Sequence, residues 1–155
     1  MEKYLEYLKT AEKKTQTIDH IVYITFPLIK EKRLLLKILS EMNLIIVNII
    51  NSVLQYEYVY KRIELTKDAR TNLNLFFQKC APRYNLNENE MKIIKELLEI
   101  YEKHQKSPFE FIKNGQVIIL SDNLIPEVIS IDKIKNFLVS IKIILKKVQK
   151  IINQL

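Results

Sequence analysis

Apolar residues recur at alternating spacings of three and four along two long stretches of the chain. This period matches one face of an α-helix, so both stretches predict amphipathic helices packed lengthwise in a bundle. Further apolar residues on other faces of the first stretch place that helix at the centre of the bundle, or against a partner chain. The two seams are Leu35, Leu39, Met42, Ile46, Ile49, Val53, Tyr56, Tyr60 and Ile63, and Ile131, Ile134, Leu138, Ile141, Leu145, Val148, Ile152 and Leu155.

Proline and capping residues set the ends of the predicted helices. Pro27 ends the first helix, because proline disfavours helical geometry in the residue before it. Thr66 or Asp68 can cap the third helix, and Asn87 with Glu90 has the form of a capping box for the fourth. The helices are predicted over about residues 2–25, 29–64, 68–80, 88–105 and 131–155.

A short helical segment is predicted between the fourth and the last of these helices. Ser107 can serve as its N-cap, with Pro108 at the first helical position and Glu110 at the third. Asn114 and Gly115 provide its stop. The segment therefore covers about six residues.

A β-hairpin is predicted directly before the last helix. Its strands are Gln116–Leu120 and Leu124–Ile129, joined by a turn over residues 121–123. Pro126 cannot donate to a ladder of hydrogen bonds, so we expect it at an outward-facing edge position. Ser130 then caps the last helix.

Together these elements predict an all-α fold in a single domain over residues 1–155. The fold is an up-and-down bundle of about four long helices plus a short helix, with one small β-hairpin before the C-terminal helix. No run reaches the roughly 18 uncharged apolar residues of a membrane span. The N-terminus lacks the apolar core of a signal peptide, and the lone Cys80 suits a reducing compartment. We therefore expect a cytoplasmic protein with no membrane partner.

Candidate catalytic and metal-binding residues are few. With one glycine in the chain there is no phosphate-binding or dinucleotide-binding loop. His20 and His104 stand in no metal-binding spacing, and we interpret them as structural or surface residues. Cys80 beside Arg83 has the form of an activated thiol, but a buried cysteine at a helix end explains the same pattern. We expect no enzyme, no catalytic residue, no metal and no cofactor.

Positive charge is concentrated on the last helix. The chain has a formal net charge of +7, and six lysines against one acidic residue lie in residues 131–155. Such a face either is simply solvated or contacts nucleic acid, an anionic membrane or an acidic partner. Nucleic acid would be bound through its phosphates. The candidate nucleic-acid-binding residues are Lys135, Lys142, Lys146 and Lys150 on one stripe, with Tyr58, Lys61 and Arg62 at the end of the second helix.

An uncharged polar row on the central helix is the second candidate surface. Asn48, Asn51, Ser52 and Gln55 fall at spacings that share one side of a helix. Amides beside a broad apolar face often specify a helix-to-helix contact, within the chain or across a dimer. A wet groove inside the bundle, able to hold a small molecule, would produce the same pattern.

The stretches TIDHIVYITFPLIKEKRLLLKIL and NIINSVLQYEYVYKRI resemble small helical-bundle proteins of archaea that are known only as uncharacterised. The long paired helices resemble, more loosely, the HEPN bundle, many members of which are dimeric and act as RNases or as partners of nucleotidyltransferases. HEPN nucleases carry an Arg followed by four to six residues and a His. Here no Arg precedes His20, and Arg83 is too distant from His104, so the resemblance implies no catalytic residue.

The function favoured by these patterns is a non-enzymatic helical interaction module that forms a homodimer. The alternative is an RNA- or DNA-binding protein that uses the lysine stripe. A winged-helix version of that alternative would take residues 108–113 as its recognition helix and the hairpin as its wing. This region carries net negative charge, which suits a DNA-reading element poorly.

Overall fold

The computed structural model describes residues 2–106, 109–113, 116–120 and 126–153. Helices dominate, and a small antiparallel sheet precedes the last of them. The all-α class predicted from the sequence is confirmed. The helices are α1 (Lys3–His20), α2 (Phe26–Ile29), α3 (Arg33–Val59), α4 (Ala69–Leu75), α5 (Glu88–Lys106) and α6 (Ile131–Ile152), and the strands are β1 (Phe109–Lys113), β2 (Gln116–Leu120) and β3 (Pro126–Ile129).

Helices α1 and α3 pack along their length as an antiparallel pair. Near one end the Ser52 hydroxyl donates to the Tyr4 carbonyl at 2.8 Å. Further along, the Lys14 ammonium donates to the Glu41 carboxylate at 3.0 Å. Because the residue number falls on one helix as it rises on the other, the two helices run in opposite directions.

Helices α5 and α6 complete the bundle. Lys142 on α6 pairs with Asp19 on α1, and Lys147 on α6 pairs with Glu90 on α5 at 2.6 Å. Helix α6 also packs against α3. Helices α1, α3 and α6 therefore share one core, to which α5 and β2 add a further side.

The apolar seams form that core. On α3 the seam positions from Leu35 to Val53 are completely buried, and on α6 those from Ile134 to Ile152 are buried. Leu8, Ala11 and Ile18 of α1 are buried against them. At about 25 cal/mol per Å² of apolar surface removed from water, this burial is the main stabilising contribution to the bundle.

The chain passes through Pro27 without the predicted break. Residues Ile21–Thr25 form a π-helical turn, in which the Phe26 N–H donates to the Ile21 carbonyl five residues earlier. A widened turn gives room for the proline ring, which in a regular helix collides with the preceding turn. The helix therefore continues through α2, and α3 begins at Arg33 rather than at residues 29–31.

Helix α3 ends at Val59, about five residues before its predicted end. The Lys61 N–H donates to the Tyr58 carbonyl at 3.0 Å, and the Arg62 N–H donates to the Glu57 carbonyl at 2.9 Å. These two bonds, with Lys61 in the left-handed conformation at φ 59°, form a Schellman C-cap. Glycine normally occupies that position, and its absence here concealed the helix end from the sequence pattern.

Three predicted N-caps are confirmed. Of the two candidates for the N-cap of α4, Thr66 and Asp68, the cap is Asp68, whose carboxylate accepts from the Arg70 N–H. Asn87 and Glu90 form the reciprocal capping box of α5, with bonds of 2.9 and 2.8 Å. The Ser130 hydroxyl accepts from the Lys133 N–H at the start of α6.

Within the segment predicted as a short helix over residues 108–113, residues 109–113 form strand β1 instead. It pairs antiparallel with β2, which pairs in turn with β3, in the order β1-β2-β3. The predicted hairpin is confirmed as β2 and β3, with Pro126 exposed on an edge strand. A third strand covers the edge that an isolated hairpin would leave open, which explains why the local helix pattern was overridden.

Several sequence predictions fall on positions outside the described residues. They concern the helix start at Ser107 and Pro108, the stop at Asn114 and Gly115, the turn over 121–123 with Leu124, and the last seam position, Leu155.

Helix α3 is long and apolar enough to cross a membrane by length and composition, with a mean hydropathy of 1.6 over its best window. Half of that window is buried inside the bundle. Its apolar side chains therefore already have a place in the core, where Ile38, Ile45 and Ile49 are inaccessible to solvent.

Replacing Lys61 by glycine is expected to stabilise the fold. A non-glycine residue in the left-handed conformation is strained, so Lys61→Gly should raise the free energy of unfolding by about 0.5–1 kcal/mol. Lys61→Ala keeps the Cβ atom and is the control, with little or no gain expected. Urea denaturation followed by circular dichroism measures both, and equal stabilities for the two variants would contradict the assignment of strain.

Candidate functional site

Large apolar side chains remain exposed along α6 and at the end formed by α1 and α2, near basic residues. On α6, exposed Val139 and Ile143 lie among lysines within about 100 degrees of arc, at 100 degrees per residue. The neighbouring end of α1 and α2 adds further exposed apolar side chains. We call this surface the cationic face; its members are Tyr23, Ile24, Leu28, Ile29, Val139 and Ile143 with Lys30, Lys32, Lys135, Lys142, Lys146 and Lys150.

Tyr23 lies at the junction of the two parts of the cationic face. The Lys135 and Lys142 ammonium groups lie 5.4 and 5.8 Å from the centre of its ring. Lys142 also pairs with Asp19 on the preceding turn of α1. The ring is thus held between two cations, while 44% of Tyr23 remains exposed.

The four lysines of the predicted stripe have different surroundings. Lys135 and Lys142 are engaged by Tyr23 and Asp19. Lys146 and Lys150 are exposed, and within the described part of the chain no acidic side chain pairs with either of them. The second pair is therefore the part of the stripe whose charge is available to an external anion.

A cavity of about 390 Å³ opens where α2 approaches the start of α6. Lys30, Lys32 and Lys135 line it on the polar side. Phe26 and Ile131 line it on the apolar side. A depression with this lining suits a group that is anionic at one end and apolar at the other.

Tyr58, Lys61 and Arg62, the other candidate nucleic-acid-binding residues, lie at the end of α3 in different surroundings. All three residues are exposed, but the Arg62 guanidinium turns back toward the bundle and its side chain is 29% exposed. Its guanidinium lies 5.3 Å from the Tyr56 ring and 5.2 Å from the Tyr60 ring. Arg62 is therefore committed to an internal contact.

The carboxylate that holds Arg62 belongs to Glu57, which is buried. Arg62 Nε donates to Glu57 Oε2 at 2.9 Å, and Arg83 Nε lies 3.4 Å from Glu57 Oε1. The Tyr84 hydroxyl donates to the same carboxylate at 3.4 Å. The cluster fastens the end of α3 to the 3-10 turn Ala81–Tyr84.

Burial within this cluster favours the uncharged forms of the neighbouring acids. Burial raises the pKa of the Cys80 thiol to about 11, with the Glu57 charge as the second cause and Arg83 acting weakly in the opposite direction. Burial and the same carboxylate also raise the pKa of Tyr84. Hydrogen bonding to Glu57 raises the pKa of the Arg62 guanidinium. Cys80 is therefore a protonated thiol at neutral pH. A nearby Arg83 alone would suggest a lowered pKa and an activated thiolate.

The sequence analysis missed this cluster. Glu57 is the single charged residue in an otherwise uncharged run of α3 from Met42 to Tyr60, which is the available indication of its burial. Its partners come from a C-cap and from a turn about 25 residues later, and neither contact follows from helical spacing.

The uncharged polar row on α3 divides into two parts. Ser52 is completely buried and bonds to α1, so it belongs to the internal helix contact. Asn48 donates to the Leu44 carbonyl at 2.7 Å and is partly exposed. Asn51 and Gln55 are also partly exposed and line a groove.

This groove has a volume of about 280 Å³ and lies among α1, α3, α4 and α5. Its walls are mainly apolar, with Ile50, Leu54 and Leu98 among them. Within the described residues, neither the Asn51 side-chain amide nor that of Gln55 makes a hydrogen bond. A groove inside the bundle was one of the two explanations that the sequence allowed for the polar row, and this arrangement agrees with it.

Metal-binding geometry is not present in the described ranges, where no three His, Cys, Asp or Glu side chains lie together. Comparison of the chain with protein-family models, curated proteins and solved structures finds no match.

Removing the Glu57 carboxylate should destabilise the protein strongly. Glu57→Ala leaves a cavity and a buried Tyr84 hydroxyl without its partner, so we expect a loss of about 3 kcal/mol in the free energy of unfolding. Glu64→Ala, an exposed carboxylate nearby, should change it by less than about 0.5 kcal/mol. Thermal and urea denaturation measure both variants, and similar losses would rule out a structural role for the cluster.

Proposed function

We propose that this protein is a non-enzymatic helical interaction module that works as a homodimer in the cytoplasm. The observation that carries the interaction role is the cationic face, where apolar side chains such as Val139 and Ile143 stay exposed among lysines. Exposed apolar surface of this kind is typical of a surface that contacts a partner.

Self-association through the cationic face is opposed by charge. A twofold contact would bring each lysine stripe against its own copy, and like charges would repel. The exposed side of α3 suits a dimer better, because its central residues Leu44, Asn48, Asn51 and Gln55 carry no charge. The loose resemblance to HEPN bundles, many of which are dimeric, agrees with this arrangement.

The non-enzymatic part of the proposal is supported by the state of the polar cluster. The Cys80 thiol has a raised pKa and no exposed surface, so it is a poor nucleophile. The Glu57 carboxylate is held by Arg62 and Arg83. These groups stabilise the end of α3, and the lone buried thiol agrees with a reducing compartment.

A charge placed on the exposed side of α3 should separate the dimer without unfolding it. Wild-type protein is expected at twice the 18.5 kDa of one chain in light scattering after size exclusion. Leu44→Asp with Gln55→Asp should elute at the single-chain mass with an unchanged circular dichroism spectrum, because both positions are accessible. Val128→Asp with Val139→Asp, exposed apolar positions outside α3, is the matched control and should stay dimeric.

Two results would contradict this dimer. A wild-type mass of one chain would remove self-association from the proposal. A dimer that persists in Leu44→Asp with Gln55→Asp would move the interface away from α3.

The second candidate function is binding of RNA or DNA. Lys142, Lys146 and Lys150 follow at steps of four residues, about 6 Å apart along α6 at 1.5 Å per residue. Two of them lack an acidic partner in the described part of the chain, so they are available to phosphates. The winged-helix version has lost its support, because residues 109–113 form a strand where a recognition helix was required.

Reversing the charge of Lys146 and Lys150 tests this candidate. If single-stranded RNA binds there, Lys146→Glu with Lys150→Glu should weaken binding. The fall of log affinity with log salt should also become less steep, by about 0.7 for each phosphate that the variant no longer neutralises. Lys9→Glu with Lys92→Glu, exposed lysines on other helices, makes the same change in net charge. Fluorescence anisotropy with a labelled oligonucleotide measures both, and equal reductions in affinity would show only a non-specific charge effect.

A further inference from the structure

The end of the bundle where α2 meets α3 carries its most exposed apolar side chains. Leu28 is 81% exposed and Ile29 is 61% exposed. Lys30 follows them in the left-handed conformation, at φ 54°, and turns the chain out of α2. We call this end the cationic tip; it consists of Ile24, Leu28 and Ile29 with Lys30, Lys32, Arg33 and Lys135.

We infer that the cationic tip docks the protein on the surface of an anionic lipid bilayer. The inference deepens the proposed interaction role and rests on it, since it names the partner of the cationic face. Docking of this kind is peripheral: apolar side chains enter the boundary between headgroups and acyl chains, and basic side chains contact the anionic headgroups.

The chemistry of the exposed side chains favours lipid over nucleic acid. Leu28 and Ile29 cannot hydrogen-bond to phosphates, so the phosphate backbone that the lysines would follow gives them no favourable contact. Acyl chains do, because they remove the side chains from water. The lysines around them have long apolar stems that let the ammonium groups reach the headgroups. Tyr23, held between two lysines, has the amphipathic ring that is enriched at membrane interfaces.

Charge complementarity supports the same partner. The cationic face with Arg33 presents seven basic residues, against Asp19, Glu31 and Asp132 as its acidic neighbours. Asp19 is already paired with Lys142, and the Glu31 carboxylate accepts from the Arg33 N–H. The surface therefore keeps an excess of positive charge, which suits an anionic leaflet.

This partner differs from the sequence expectation, which was that the protein has no membrane partner. That expectation came from the search for a spanning segment and for a signal peptide. A docking tip needs neither, because a few exposed side chains at a turn are enough. The exposure of Leu28 and Ile29 follows from the helix running on through Pro27, which the sequence pattern did not show.

Vesicle sedimentation tests the inference with the full chain. Wild-type protein is expected to sediment with vesicles of 70% phosphatidylcholine and 30% phosphatidylglycerol, and at least tenfold less with pure phosphatidylcholine. Leu28→Ser with Ile29→Ser should lose at least tenfold in binding. Val59→Ser with Val128→Ser, which alters exposed apolar positions elsewhere, is the matched control and should bind like the wild type.

Tryptophan fluorescence gives a second, direct readout. The chain contains no tryptophan, so Ile29→Trp reports on a single position. Its emission should shift to shorter wavelength with anionic vesicles and should be quenched by brominated acyl chains, whereas Val59→Trp should show neither change. Circular dichroism of each variant confirms that it is folded.

The outcomes separate this inference from the proposed function. Absence of binding to anionic vesicles, equal binding to neutral vesicles, or unchanged binding by Leu28→Ser with Ile29→Ser would each overturn docking by the tip. Oligonucleotide binding that depends on Lys146 and Lys150, with no vesicle binding, would assign the cationic face to nucleic acid instead. A dimer that does not bind vesicles would contradict docking by the tip and support the proposed homodimer. A monomer that binds anionic vesicles would support docking and contradict the homodimer.

Discussion

Coverage of the central helix α3 is the constraint on which the rest of the structure depends. Thirteen of its 27 residues are buried, and they lie on so much of its circumference that one neighbouring helix cannot cover them. Helices α1 and α6, with α5 and strand β2, supply the required sides. Consequently the surface that α3 leaves to solvent is narrow and, around Leu44 to Gln55, uncharged.

The sequence predicted those features that are local or periodic. The seams on α3 and α6 identified the core, because burial follows the helical period. The capping box of Asn87 and Glu90 was predicted for the same reason, since its atoms lie within one turn. The helix end predicted at Pro27 is wrong, and the end near Lys61 was missed, because a π-helical turn and a left-handed lysine are exceptions to the usual residue preferences. Strand β1 was missed because its partner, β2, decides its conformation.

The candidate site was predictable only as far as helical geometry reaches. The stripe from Lys135 to Lys150 does share one side of α6. The polar row left Ser52 open to a contact within the chain or across a dimer, and its hydroxyl bonds to α1. Arg62 was a candidate for nucleic-acid binding, but its guanidinium bonds to Glu57. Leu28, the most exposed large apolar residue among those described, was not singled out, because a single leucine beside a proline does not show whether it lies in the core or at a tip.

The two ends of the bundle differ in a way that supports an interaction role. At the C-terminal end of α3, Glu57 gathers cationic and hydroxyl groups from two later segments, and that end is fastened internally. At the opposite end, the turn after α2 leaves its apolar side chains in water and its lysines around them. Exposed leucine and isoleucine contribute nothing to the stability of a monomer, and nearby lysines add mutual repulsion. Both features become favourable when an anionic, partly apolar surface covers that end.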